Sequence, residues 1–92
     1  MTIRDDLISE EEWTELGQYL GLSEQQTEVV RRIFCGKSRH EIACELAIRP
    51  GTVRTQISRI YREFGVSNRV QLAVYVLASL REYWGERESL YV

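Results

Sequence analysis

The chain is predicted to fold as a single all-α domain of 92 residues with five helices. Apolar residues recur at helical spacing along five segments, and no segment alternates apolar and polar residues as a half-buried strand does. Serine, proline and glycine stand at the ends of these segments, where helices begin and stop. Because a chain of this length has room for one modest core, we expect residues 1–92 to form one domain.

Capping residues set the boundaries of the five predicted helices. A serine precedes four of the segments, and in two cases a glutamate three residues later completes a capping box. Proline opens the fourth segment, where its φ is already helical, and glycine follows the first, second and fourth segments. The predicted helices are Glu10 to Leu20, Glu24 to Cys35, Arg39 to Ala47, Pro50 to Phe64 and Asn68 to Trp84, with the serine caps Ser9, Ser23, Ser38 and Ser67.

Charge is distributed unevenly, although the whole chain carries a net charge of only −2. Residues 1–28 hold one arginine against eight acidic residues, a net charge of −7, and residues 29–70 hold nine basic residues against three acidic ones, a net charge of +6. A segment this basic indicates a local anion-binding surface. The first helix is expected to complete the core through Trp13 and Leu16; alternatively it shields the basic face or contacts a partner.

Composition argues against several classes of protein. His40 is the only histidine and no glycine-rich phosphate loop occurs, so we expect no enzyme and no cofactor. Cys35 and Cys44 are too few for a disulfide framework, and with His40 they lack the fourth ligand of a structural zinc site, so no metal is expected. No segment is apolar for the ~20 residues that a membrane span needs. Without a signal peptide pattern, a cytoplasmic protein is expected.

The third and fourth predicted helices are short and separated by about three residues, the spacing of a helix-turn-helix. At 100° per residue, the apolar residues of the fourth helix share one side and its arginines and hydroxyls lie opposite. Arginine can bond guanine in the major groove, and threonine can offer its methyl to thymine. An ordinary solvated face would interleave acids with arginines, but the one acid, Glu63, lies off this face. The face comprises Thr55, Ser58, Arg59 and Arg62, with Arg54 on its flank.

The fifth predicted helix is apolar over a wider arc than one core can bury. One stripe, which contains Leu72 and Val76, suits the core. A second stripe at positions i, i+3, i+4 and i+7 indicates a partner helix, most simply that of a second copy, unless the N-terminal helix covers it. The expected dimer interface is Val74, Leu77, Ala78 and Arg81.

A resemblance to a known family appears in the region from Leu22 to about Glu82. The residues that carry it are Gly36-Lys37-Ser38-Arg39-His40-Glu41-Ile42-Ala43, Thr52-Val53-Arg54, Gly65-Val66 and Leu72-Ala73. With this spacing the region closely resembles the LuxR/GerE-type DNA-binding domain. The resemblance implies a four-helix helix-turn-helix bundle (22–84), here with one additional N-terminal helix in an acidic extension (1–21) and a tail (85–92).

The resemblance also implies roles for individual residues. Where the family often has Asn-Lys, His and Ser, this chain has Arg39-His40, Gln56 and Arg49, which keep donors and positive charge. Base contacts would come from Arg54, Thr55 and Ser58. Phosphate contacts would come from Arg39, His40, Arg49, Thr52, Gln56, Arg59, Arg62 and Arg69.

The function expected from these observations is transcription regulation by a homodimer that reads short inverted or direct half-sites in double-stranded DNA. RNA polymerase or a partner regulator is a further candidate partner. One alternative is a promoter-binding module like the last region of a sigma factor. The other is a protein-interaction adaptor that has lost DNA binding, for which the pI of about 5.4 is the best argument.

Overall fold

The computed structural model describes residues 7–89, and within that range it contains five α-helices and no strand. Helix α1 spans Glu10–Tyr19, α2 Glu24–Phe34, α3 Arg39–Leu46, α4 Pro50–Phe64 and α5 Arg69–Ser89. The all-α class and the additional N-terminal helix are therefore confirmed. Within the same range none of the five helices combines the length and the hydropathy of a transmembrane segment.

Three helices begin at the serines that the sequence indicates. Each serine hydroxyl accepts a hydrogen bond from the backbone N–H three residues on, and the side chain at that position accepts one from the serine N–H. The second helix uses glutamine for this return bond, so it too has a capping box, which the sequence analysis did not identify. The pairs are Ser9 with Glu12, Ser23 with Gln26, and Ser38 with Glu41.

Two predictions about the ends of α5 are wrong. Asn68 rather than Ser67 caps the helix, because the Asn68 Oδ1 accepts a hydrogen bond from the Gln71 N–H at 2.9 Å. The helix also continues past Trp84 to Ser89, so most of the expected tail is helical. Helix α1 contacts this added part: the Tyr19 hydroxyl donates to Glu86 Oε1 at 3.4 Å. The last part of the expected tail, 90–92, lies outside the described residues, as do residues 1–6.

The turn between α3 and α4 depends on a left-handed alanine. Ala47 has φ 54° and ψ 42°, a conformation that alanine adopts only at a cost. The backbone N–H of Ile48 donates to the Ala43 carbonyl at 3.0 Å, which satisfies an orphan acceptor at the end of α3. This reversal allows Pro50 to open α4 only three residues after Ala47.

Buried apolar residues from every helix form one hydrophobic core. Helix α1 contributes Trp13, whose ring meets Phe34 edge to face with centroids 5.5 Å apart. Ile8 precedes the α1 cap and is also buried, so with Trp13 it has the arrangement of a hydrophobic staple. The prediction that α1 completes the core is confirmed. The fully buried side chains of the other helices include Val29, Val30, Ile42, Val53, Ile60, Leu72 and Val76.

Candidate nucleic-acid interface

Helix α4 has one buried face and one exposed face, as its sequence predicts. Val53 and Ile60 have no exposed surface and anchor the helix in the core. The opposite face is open to solvent within the described structure. The exposed residues are Arg54, Thr55, Ser58, Arg59 and Arg62, which are those that the helical projection assigns to the outer face and its flank.

Two shallow depressions lie beside the N-terminal ends of α3 and α4, and Gly51 lines both of them. Their lining residues come from both helices and from the turn, so the fold gathers residues that are separated in sequence. Eight predicted DNA-contact residues lie here: Arg39, His40 and Arg54 in one depression, and Arg49, Thr52, Thr55, Gln56 and Arg59 in the other.

The three remaining predicted contacts lie outside these depressions. Ser58 and Arg62 are exposed on the outer face of α4. Arg69 is half-buried at the first position of α5. It lies close enough to Tyr61 for its charge to favour the phenolate, although burial of the ring has the larger effect and raises the pKa of Tyr61.

Three of the nine basic residues in segment 29–70 are neutralised by glutamates of α1, α2 and α3. An ion-pair network joins α2 to α1 and α3, and none of its residues lines the two depressions beside α4. The hydrogen bond from Lys37 holds the pKa of Glu45 below its usual value, with Arg32 adding to the effect, and the pKa of Lys37 is raised in turn. The pairs are Arg31–Glu10 at 2.8 Å, Arg32–Glu28, Arg32–Glu45 at 2.9 Å and Lys37–Glu45 at 2.6 Å.

The other six basic residues have no carboxylate partner within 4.0 Å among residues 7–89. They lie on α3, α4, the turn between them and the start of α5. Because unpaired charges set the potential at a surface, the anion-attracting part of the basic segment is confined to the helix-turn-helix and its margin. These residues are Arg39, Arg49, Arg54, Arg59, Arg62 and Arg69.

Two predicted contact residues already have hydrogen-bond partners within the protein. The Thr55 hydroxyl donates to the Gly51 carbonyl at 3.0 Å, which leaves its methyl group and oxygen lone pairs for a ligand. The Gln56 Nε2 donates to Gln25 Oε1 on α2 at 2.6 Å. Gln56 is half-buried, so it is less available than its arginine neighbours.

The second apolar stripe of α5 is exposed. Val74 is 61% exposed and Leu77 46% exposed, and Ala78 and Arg81 are exposed beside them. Trp13 and Leu16 of α1 lie in the core, so the alternative in which they cover this stripe is wrong. Val70, 73% exposed, continues the stripe towards the start of α5. The sequence analysis missed it, although its spacing of four residues from Val74 could have revealed it.

Within residues 7–89, no group of three or more His, Cys, Asp or Glu side chains is arranged to hold a metal ion. Cys35 is buried and Cys44 is exposed. His40 lies at the surface among the residues of the first depression. The chemistry of this region is therefore that of arginine, hydroxyl and amide groups, which suits binding of a polyanion.

Comparison with known proteins gives a consistent family assignment. The profile of the bacterial regulatory proteins of the luxR family matches residues 20–76. The probable transcriptional regulatory protein NarL of Mycobacterium tuberculosis is 48% identical over 48 residues, which are 52% of this chain and 22% of NarL. The transcriptional regulatory protein DesR of Bacillus subtilis is 42% identical over 50 residues, 54% of this chain and 25% of DesR.

A third relative extends the similarity along the chain. The HTH-type transcriptional regulator MalT of Serratia proteamaculans is 32% identical over 65 residues, 71% of this chain and 7% of MalT. The aligned region thus covers a quarter or less of each of these three relatives. No solved structure gives a significant match. Because the family profile matches more than half of the chain, the protein belongs to the luxR family of bacterial regulatory proteins.

Proposed function

We propose that the protein binds specific sequences in duplex DNA through α4 and regulates transcription as a homodimer. The observation that carries the proposal is the set of six arginines without a carboxylate partner around the helix-turn-helix. Phosphate neutralisation by such residues supplies much of the affinity of a protein for DNA. The names of the relatives, which are transcriptional regulators, support the same function.

In this proposal α4 enters the major groove and its first half reads bases. The exposed guanidinium of Arg54 can donate two hydrogen bonds to the O6 and N7 of guanine. Thr55 keeps its methyl group available for thymine because its hydroxyl hydrogen is bonded to Gly51. The Ser58 hydroxyl, one helical turn further on, can donate to or accept from a base edge.

Phosphate contacts orient the protein on the duplex without reading its sequence. The two depressions at the N-terminal ends of α3 and α4 bring arginine, histidine and threonine side chains together on both flanks of Arg54. Arg62 and Arg69 extend the positive surface towards the start of α5. The proposed phosphate contacts are Arg39, His40, Arg49, Thr52, Gln56, Arg59, Arg62 and Arg69.

A homodimer would cover the exposed stripe of α5. Val70, Val74 and Leu77 present apolar surface on one helix face, which a second copy of the same face can bury. Ala78 allows the two helices to approach, and Arg81 lies at the margin. Two recognition helices would then read two half-sites.

The decisive experiment compares DNA binding by the wild type with that of two variants of equal net charge. Fluorescence anisotropy with a random duplex would be measured at about 50 mM and about 200 mM salt. With about five phosphates neutralised per protomer, wild-type affinity should fall roughly 10²- to 10³-fold between these conditions. Arg59→Glu should abolish binding, because it places a negative charge on the DNA-facing surface.

The matched control is the double variant Thr14→Glu, Gln18→Glu. Both residues are exposed on α1, and the double change alters the net charge by the same two units as Arg59→Glu. It should bind DNA nearly as well as the wild type. Equal losses in both variants would mean that net charge alone governs binding, and a folded wild type that binds no DNA at low salt would favour the protein-interaction adaptor.

A further inference from the structure

Within the part of the chain that the structure describes, Gln25 is the one residue outside α4 that holds a side chain of that helix by a hydrogen bond. Its Oε1 accepts the 2.6 Å hydrogen bond from Gln56 Nε2, which joins the start of α2 to the middle of α4. Among residues 7–89, no other side chain of α4 is hydrogen-bonded to another helix. The rest of the contact between α4 and the core is apolar, and apolar packing is not directional.

Gln56 lies between the core and the DNA-facing surface. It is half-buried and lines the same depression as Thr52, Thr55 and Arg59. Its Oε1 is enclosed and has no hydrogen-bond partner among residues 7–89, so within that range the bond to Gln25 is the only hydrogen bond that restrains this side-chain amide. A change at Gln25 would release Gln56 next to the residues that face DNA.

We infer that Gln25 is a positioning residue for α4, which acts by holding Gln56 and so fixing the rotation of α4 about its axis. The inference rests on the proposed DNA binding. Rotation of α4 moves Arg54 and Thr55 relative to base edges, whereas flexible arginines can still reach phosphates. Loss of the bond therefore lowers discrimination between DNA sequences more than it lowers overall affinity.

The test uses the ratio of affinities for two duplexes, one that carries a site selected by the wild type and one with that site scrambled. Gln25→Met removes the acceptor and keeps the side-chain length. One lost hydrogen bond predicts a ratio about 2- to 10-fold smaller than in the wild type. The salt dependence should stay unchanged, since no charge is removed.

Two single variants and one double variant separate positioning from other effects. Gln25→Glu keeps an Oε acceptor for Gln56; its charge weakens binding to both duplexes alike, so the ratio should stay near the wild-type value. Gln18→Met makes the same chemical change as Gln25→Met on the exposed surface of α1 and should leave the ratio unchanged. In a Gln56→Met background, Gln25→Met should have no further effect, because the bond is already absent.

The outcomes distinguish this inference from the proposed function. If the wild type discriminates between the duplexes and Gln25→Met retains the full ratio, the positioning role is overturned alone. Equal losses on both duplexes would also overturn it, because Gln25 would then act as a contact to the DNA backbone. A wild type that binds neither duplex would overturn the proposed function and this inference together. Gln25→Ala, at the same exposed position, serves as a second variant if Gln25→Met folds poorly.

Discussion

Gly17 of α1 lies so close to α2 that an added Cβ atom would be 2.3 Å from Oγ1 of Thr27. Thr27 is itself buried and its hydroxyl donates to the Ser23 carbonyl at 2.9 Å. Alanine in a helix interior usually stabilises a protein relative to glycine by about 0.5–1 kcal/mol. Here the sign should reverse: Gly17→Ala is expected to lower the free energy of unfolding by about 1–3 kcal/mol because it overpacks the α1–α2 contact. Urea unfolding followed by circular dichroism measures this change.

Gly85 provides the matched control for that substitution. It is an exposed glycine in α5, and an added Cβ would meet nothing within 4 Å. Gly85→Ala should therefore stabilise the protein by about 0.5–1 kcal/mol. Thr27→Ala in the Gly17→Ala background should restore part of the lost stability, since it removes the two closest atoms. If Gly17→Ala stabilises the protein as Gly85→Ala does, the two helices are further apart than described.

The division of the basic residues into those with and those without a carboxylate partner predicts which of them contribute to DNA binding. Arg39→Gln removes an exposed charge without a described ion-pair partner, so the slope of log affinity against log salt should become shallower by about 1. Lys37→Gln removes a charge that is already paired with Glu45, and the slope should change much less. Anisotropy titrations at several salt concentrations give both slopes. Equal slope changes for Arg39→Gln and Lys37→Gln would contradict the prediction that unpaired basic residues contribute more to DNA binding than paired ones.

The exposed stripe of α5 predicts self-association that one substitution disrupts. Leu77→Glu should shift the protein to a monomer, because a dimer would bury the introduced carboxylate against apolar surface. Its fold should be retained, since Leu77 is 46% exposed in the single chain. Sedimentation velocity measures the mass, and circular dichroism the helix content. Leu7, 60% exposed before α1, is the control: Leu7→Glu should leave the mass unchanged. A wild type that is monomeric at high concentration would rule out the homodimer.

The network around Glu45 predicts a pH dependence of stability. Lys37 lowers the folded-state pKa of Glu45 below the ordinary value of 4.5, and Arg32 adds to the effect. A carboxyl group whose pKa is lower in the folded state than in the unfolded state stabilises the protein at pH values above its unfolded-state pKa. This stabilisation is lost as the pH falls through the folded-state pKa. The stability difference between wild type and Glu45→Gln should therefore be present near neutral pH and shrink below pH 4.5.

Urea unfolding at several pH values from about 7 to about 3 measures that difference across the titration of the carboxyl group. Glu63→Gln is the control, because Glu63 is exposed and has no cationic partner within 4.0 Å among residues 7–89. Its difference from the wild type should vary little over the same range. A constant difference for Glu45→Gln would mean that the network does not form in solution.

Local chemistry was sufficient to predict most of the fold. Serine caps, Pro50 and glycine stops act on residues within one turn of the chain, so the starts of α1 to α4 follow from sequence alone. The faces of α4 are predictable for a similar reason, since one helical period relates Val53 and Ile60 to the core and Thr55 to solvent. The start of α5 is less determined, because Ser67 and Asn68 are both good caps.

The sequence by itself determined the helices, the outer face of α4 and the apolar excess of α5, because each depends on neighbours a few residues apart. Only the tertiary structure decided which charges are cancelled, how far α5 extends and which residue holds α4. Arg31 pairs with Glu10, Tyr19 bonds Glu86 67 residues away, and Gln25 bonds Gln56 31 residues away. Such contacts depend on how the helices pack in three dimensions, and periodicity along one helix carries no information about them.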